Sequence, residues 1–232
     1  MHATATLVFE TSTPQASVAL VRADGSITRR EFRSDRNHNA KLFAPLAELL
    51  HGSAGNPASA SASDIGLVLV GSGPGSYSGT RVGIAAAQGI AITCACPCVA
   101  IPSILAVPAA DNGAACLAIG DARRGTYWTA EINRHQLVTE PAICDAATLL
   151  ESVTAAAEKH IPVFAFEAAD RFPLPDPLQA AISHQFPDAT LLWQAWQSSD
   201  EPTRAAWSRA IPQPLYLKPP HITKSNRPSL LR

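Results

Sequence analysis

Between Gly71 and Arg81 the chain reads Gly71-Ser72-Gly73-Pro74-Gly75-Ser76-Tyr77-Ser78-Gly79-Thr80-Arg81, with four glycines in nine residues. The short apolar run before it, Ile65 to Val70, predicts a buried strand, and the stretch of small residues after it, Val82 to Cys94, predicts a helix. Glycines at this density let the backbone take positive φ and approach a neighbour closely. A strand, a glycine loop and a helix N-terminus in that order offer backbone N–H groups and a positive dipole end to an anion. The dinucleotide spacing G-x-G-x-x-G is absent, and so is the Walker pattern ending in Gly-Lys-Ser/Thr. Two readings stay open: a phosphate-type loop, or a tight structural turn.

Composition bounds the remaining classes. With 232 residues, 47% of them hydrophobic, the chain can bury one large core or two small ones. A net charge of −1 supplies no global field toward nucleic acid or anionic lipid. Met1 to Thr6 has no basic region ahead of an apolar stretch, so no signal peptide is expected. Apolar runs are broken too often by Gly, Pro and charge to span a bilayer. Three of the five cysteines, Cys94, Cys96 and Cys98, alternate as on one strand face. That spacing suits neither a disulfide framework nor the C-x-x-C knuckles of a zinc site. They are expected to be reduced and mostly buried at a helix–strand junction, in a cytoplasmic protein.

Periodicity predicts an opening β-meander, Ala5 to Glu10, Gln15 to Arg22 and Ile27 to Arg33, with a hairpin turn at Asp24-Gly25. A helix follows from about Asn39 to His51, with Asn37 or Asn39 as its cap and Pro45 in its first turn or at a kink. After the glycine unit come a strand near Val99 to Ile101 and a helix from Ser103, and Pro108 to Gly113 reads as a boundary. A second hairpin, Ala115 to Gly120 with Thr126 to Asn133, turns at Asp121-Ala122-Arg123-Arg124-Gly125. A helix over Ala146 to Lys159 and a strand over Ile161 to Phe166 complete a second α/β layer. Beyond Leu178, Trp193, Trp196 and Trp207 suit short helices packing back on the body. The expected division is 1–108, 109–217, and a mobile basic tail at 218–232 that holds Lys and Arg but no carboxylate. Both halves open with a hairpin and continue into helix and strand, as a duplicated domain would.

Several segments together resemble one family: Val8-Phe9-Glu10-Thr11-Ser12-Thr13 with Ser17-Val18-Ala19-Leu20, His38 opening a helix to Leu50, the glycine loop with Arg81 and Gly83, Asp121-Ala122-Arg123-Arg124-Gly125, and Pro214-Leu215-Tyr216-Leu217-Lys218. They are similar to TsaB, the bacterial partner subunit in threonylcarbamoyladenosine synthesis on tRNA. The resemblance implies two RNase-H-like α/β lobes of the actin-like ATPase, or sugar-kinase, superfamily. It implies a non-catalytic subunit that pairs with and activates a TsaD-like paralogue modifying adenosine 37 of tRNA, with a TsaE-like ATPase joining them. Partner contact is expected through two helices, at His38, Leu42, Phe43, Leu46, Leu49, Leu50, Arg81, Gly83, Ala86 and Ala87, a surface that also lets the isolated chain form a homodimer. ATP, ADP or phosphate is expected, if anywhere, at Glu10, Thr11, Ser12, Gly73, Gly75, Ser76 and Gly79. TsaB sequences usually carry Asp where Glu10 stands here. The paralogue holds a metal with two histidines at i and i+4; no two of the seven histidines here are four apart, so no metal is expected.

Other chemistry fits less well. Glu10, Asp121 and Asp64 are candidates for the carboxylate cluster of an RNase-H-type nuclease, though strand-end carboxylates also serve solvation alone. Ser12, Ser76 and Ser78 are candidate nucleophiles, but Gly75-Ser76-Tyr77-Ser78-Gly79 has tyrosine at the centre of the G-x-S-x-G pattern. A kinase of the same fold would need an acidic base facing the loop, and no residue is an obvious choice.

Overall fold

A computed structural model describes residues 4–33, 38–51 and 62–217. The 218–232 tail therefore lies outside the described residues. β1 (Ala5–Glu10), β2 (Gln15–Val21) and β3 (Ile27–Arg33) form the expected antiparallel meander. Gly25 turns β2 into β3 at φ +83, a conformation few other residues adopt. α1 (His38–His51) leads to β4 (Ile65–Gly71), α2 (Tyr77–Thr93) and β5 (Cys98–Ile101). β4 runs parallel to β1, and β5 parallel to β4, giving a first sheet of order β3-β2-β1-β4-β5.

The short α3 (Pro108–Asp111) stands where the sequence predicts a boundary. The second unit is β6 (Cys116–Asp121), β7 (Tyr127–Asn133), β8 (Gln136–Leu137), β9 (Ala142–Cys144), α4 (Ala146–Glu158), β10 (Val163–Ala165), α5 (Asp176–Ala180) and β11 (Ile182–His184). Its sheet order is β11-β10-β6-β7-β8, with β9 also on β7. The two orders are one pattern: antiparallel hairpin, crossover helix, then two parallel strands on the other side of the first. Two RNase-H-like lobes are thus present, and the duplication that sequence identity hides is visible in the topology.

Each central strand reads as continuous apolar sequence because both of its faces are covered. Leu7, Phe9, Val18 and Leu20 face a core under α1 and α2, whereas Val8, Ala19 and Val21 face a core shared with the second sheet. Cys116 and Ala118 of β6 enter that shared core, and Leu117 and Ile119 face α4. α6 (Ala189–Ser198) and α7 (Glu201–Arg209) differ from the sequence division. They fall within 109–217, yet α6 packs on β1, β2 and β4, and α7 on β5. Trp193, Trp196 and Trp207 do pack back on the shared core, with Trp196 and Trp207 stacked at 6.4 Å. Pro45 lies well inside α1, not in its first turn. α2 begins at Tyr77, so half of the predicted loop is its first turn.

Candidate functional site

The glycine run folds into a clasp against the β1–β2 turn. Gly73 takes φ +91; its N–H donates to Ser103 Oγ (3.0 Å) and its carbonyl accepts from the Ser103 N–H (2.8 Å). The Ser76 N–H donates to the Ser12 carbonyl (2.5 Å), and Thr11 Oγ1 donates to the Gly79 carbonyl (2.8 Å). Ser76 Oγ caps α2 by accepting from the Gly79 N–H (3.2 Å). A Cβ at Gly75 would overlap the Ser12 carbonyl, one at Gly79 the Thr11 carbonyl, and one at Gly83 the Thr11 hydroxyl. Sequence reasoning brought Glu10, Thr11, Ser12, Gly73, Gly75, Ser76 and Gly79 to one place, and they do meet there. There the N–H groups of Ser12, Gly73, Ser76 and Gly79 donate within the protein. The run thus packs as a tight turn on the β1–β2 turn. Ser103, the clasp's other anchor, carried no signal in the sequence.

Glu10 lies beneath the clasp, fully buried, and Oε1 accepts from the Ser12 N–H (2.7 Å). Its other oxygen, Oε2, has no hydrogen-bond partner. Burial pushes the carboxyl above its ordinary range, Ser12 and Ser103 offset only part of this, and Asp188 adds to the rise. A carboxyl that holds its proton more tightly when folded loses stability as pH climbs from the unfolded value, about 4.3, through the folded one. Glu10→Gln keeps the shape and removes that penalty. Urea unfolding is expected to show the variant gaining on wild type as pH rises from 5 to 8, by about 1 kcal/mol or more. A difference that stays flat over this interval would refute the assignment.

The helix pair divides its sequence-predicted interface residues between two environments. Leu42, Leu46 and Leu49, at i, i+4 and i+7, point into the core beneath α1, with Leu50 half-buried beside them. Gly83 and Ala87 are buried on α2, and Ala86 is half-buried. These residues, apart from Leu50 and Ala86, are therefore corrected from surface to core, because an amphipathic stripe must cover the sheet before it can serve a partner. What stays outside is Phe43 with Ala44 and Ala47 on α1, and Ala85, Gly89 and Ile92 on α2. Phe43 is 57% exposed and Ile92 80%. His38 opens α1, but its side chain lies outside the described ones. Arg81 is exposed and engaged: its guanidinium sits 3.8 Å above the Tyr77 ring and its Nε donates to the Tyr216 hydroxyl (2.7 Å). The segment carrying Tyr216 straps across the clasp, with the Leu215 N–H on the Ser72 carbonyl and the Gln88 amide on the Pro212 carbonyl.

The proposed nuclease cluster does not assemble. Asp64 precedes β4 beside the start of β1, about five residues or ~17 Å from Glu10 at its end. Asp121 ends β6 as Glu10 ends β1, but it pairs with Arg123 (3.3 Å) and Arg171 (3.9 Å). Its acidic neighbour is Glu167, whose carboxyl is raised first by burial and then by Asp121. No group of three His, Cys, Asp or Glu is gathered for a metal ion among the described residues. The five cysteines are free; only Cys116 is buried, so the expectation of mostly buried thiols is corrected to half-buried for the other four. Desolvation raises all five, Cys98 and Cys116 to about 11. No helix among the described residues is long and apolar enough to cross a membrane.

Comparison with known proteins gives this geometry a lineage. An uncharacterized protein with similarity to peptidase YEAZ from Pseudomonas aeruginosa superposes with a TM-score of 0.70 at 21% identity, over 93% of this chain and 100% of that one. YeaZ from Pseudomonas aeruginosa does so with 0.70 and 21%, over 92% of this chain and 100% of its own. Both likenesses bear on the fold, and both extend over its two lobes. No curated protein matches the chain. The sequence model of a family described as TsaD, tRNA N6-adenosine threonylcarbamoyltransferase, matches residues 27–196, which run from β3 into α6 and take in the clasp and the helix pair. This chain belongs to the TsaD, tRNA N6-adenosine threonylcarbamoyltransferase, family.

Proposed function

We propose that the chain is a non-catalytic, TsaB-like member of this family, which pairs with a TsaD-like paralogue through α1 and α2 and supports threonylcarbamoyl transfer to adenosine 37 of tRNA. The observation that carries the reading is the apolar residues left exposed on the outer sides of both helices, Phe43, Ala44 and Ala47 on α1 and Ala85, Gly89 and Ile92 on α2. Small residues there let another helix approach closely, and the two large side chains supply anchors. A glycine loop occupied in holding its own neighbour supports the same reading, since it leaves the chemistry to the paralogue. The absence of an i, i+4 histidine pair from the sequence agrees. A TsaE-like ATPase and tRNA meet this subunit in the assembled complex, in the cytoplasm, and the same face joins two copies when the paralogue is absent.

The similarity to a peptidase printed for one structural relative raises a hydrolase as the second reading. Two of the three candidate serines do not favour it: Ser76 Oγ caps a helix, and Ser12 is buried beneath the loop.

Size-exclusion chromatography of the protein with its own organism's TsaD-like subunit tests the proposal. A stable heterodimer is expected, weakened about 30-fold or more by Phe43→Asp or Ile92→Asp, as loss of an interface anchor worth 2 kcal/mol or more requires. A heterodimer that tolerates both substitutions would move the contact elsewhere. Transfer activity by this chain alone would overturn the non-catalytic reading.

A further inference from the structure

α2 is covered on three sides. Gly83, Ile84, Ala87 and Ala91 bury one side on the sheet. Val82, Ala86 and Ile90, at i, i+4 and i+8, pack half-buried against the core that the α1 leucines enter, so α1 shoulders that flank. At 3.6 residues per turn, Tyr77, Arg81 and Gln88 lie on the other flank, where the chain returns after α7. The Gln88 amide donates to the Pro212 carbonyl (3.1 Å) and Arg81 Nε to the Tyr216 hydroxyl (2.7 Å), so the strap runs along α2 in the antiparallel sense. The Leu215 N–H, on the Ser72 carbonyl (2.8 Å), pins it between those two points. The crest of α2, at Ala85, Gly89 and Ile92, stays open between the two shoulders.

Ile211 precedes Pro212, at the end of the strap toward Ile92, and is 79% exposed. Large apolar side chains left in water along one surface mark a place of association. Its charge is single: over residues 77–93 and 210–217, Arg81 is the one Asp, Glu, Lys or Arg. The guanidinium lies 3.8 Å from the centre of the Tyr77 ring and 5.3 Å from that of Tyr216, and the Nε bond fixes its plane. Its two terminal nitrogens have no hydrogen-bond or ion-pair partner among the described residues. A fork held in this way can take a carboxylate with little further loss of side-chain freedom.

We propose that the strap belongs to the pairing surface: the TsaD-like paralogue lays one amphipathic helix along the crest of α2, between α1 and the strap, with apolar side chains on Ile92 and Ile211 and an Asp or Glu on Arg81. The inference rests on the pairing reading above and adds the strap as a contact and an acid as what the partner supplies. An open crest between two raised shoulders accepts a helix, and alanine and glycine on it let the backbones come close. Arg81 and Ile92 are eleven residues apart on α2, about 16 Å along its axis. A partner helix engages both only with its acid and its apolar stripe at that separation, so the charge pair sets register.

Titration calorimetry of the full chain with its own organism's TsaD-like subunit tests this. Ile211→Asp is expected to weaken pairing about tenfold or more, and Arg81→Glu about 30-fold or more. Both side chains are exposed, so the free variants are expected to melt as the wild type does. Arg81→Ala is expected to cost about tenfold, and Arg81→Lys, which keeps the charge without the fork, to recover part of that loss. Equal weakening by Arg81→Ala and Arg81→Lys would overturn the charge pair in favour of a role confined to holding the strap. Pairing that is lost on Phe43→Asp or Ile92→Asp but tolerates Ile211→Asp and Arg81→Glu would overturn this inference and leave the pairing reading standing. Failure of the wild-type chains to pair at all would remove both.

Discussion

Gly79→Ala is expected to lower stability by about 3 kcal/mol or more, although alanine is the better helix former. An added Cβ would overlap the Thr11 carbonyl, a backbone atom that cannot swing aside as a side-chain tip could. Relief requires α2 to move off the β1–β2 turn, which breaks the Thr11 hydroxyl bond to the Gly79 carbonyl and the Ser76 N–H bond to the Ser12 carbonyl. For a chain of this size the loss corresponds to a fall in melting temperature of about 6 °C or more. Gly89→Ala, ten residues further along α2, is the control. No atom lies within 4 Å of a Cβ there, so helix propensity alone should raise stability by about 0.5–1 kcal/mol. Calorimetry of the two variants separates a glycine kept for close approach from one that is merely tolerated. If both substitutions stabilised the protein, the clasp would not be a structural element.

Leu46→Asp is expected to be worse still, costing about 4 kcal/mol or more and leaving much of the chain unfolded, since a whole domain's stability is about 5–15 kcal/mol. Leu46 is 5% exposed, and a carboxylate there would enter the core beneath α1 with no partner placed to receive it. Phe43, three residues away and 57% exposed, should accept the same substitution with a change within about 0.5 kcal/mol. Denaturant titration of the two variants decides whether α1 faces the sheet as described. It also guards the pairing experiment: an acidic residue at Leu46 would abolish a heterodimer by unfolding, whereas one at Phe43 reports on the surface. Equal stability of the two variants would contradict the orientation of the helix.

The sequence reading went furthest where local chemistry suffices. Apolar runs bounded by turn residues located β1, β2, β4, β6 and β7 closely, and Asp24-Gly25 marked its hairpin. It failed on α2, which starts inside the predicted loop because Ser76 supplies a cap and Gly79 tolerates helical backbone. On α1 it saw apolar residues almost all round and assigned the leucines to a partner. Which side of that helix meets the sheet depends on β1 and β2, strands that come before it in the chain. Glu167 escaped notice as a lone acid after a strand, and only the folding of β10 beside β6 brings it to Asp121.

By itself the sequence determined the α/β class, the repeated order of hairpin, helix and strand, and the glycine loop's position between a strand and a helix. Those features follow from periodicity and turn chemistry, which act over a few residues. Tertiary structure decided what the loop touches, since glycine permits close approach without specifying to what. It decided that α6 and α7 return to the first sheet, because a sheet buried on both faces needs a second cover and the nearest helices in sequence had taken one side. And it decided which apolar residues of the helix pair remain outside, because burial is settled by packing between segments that no local pattern connects.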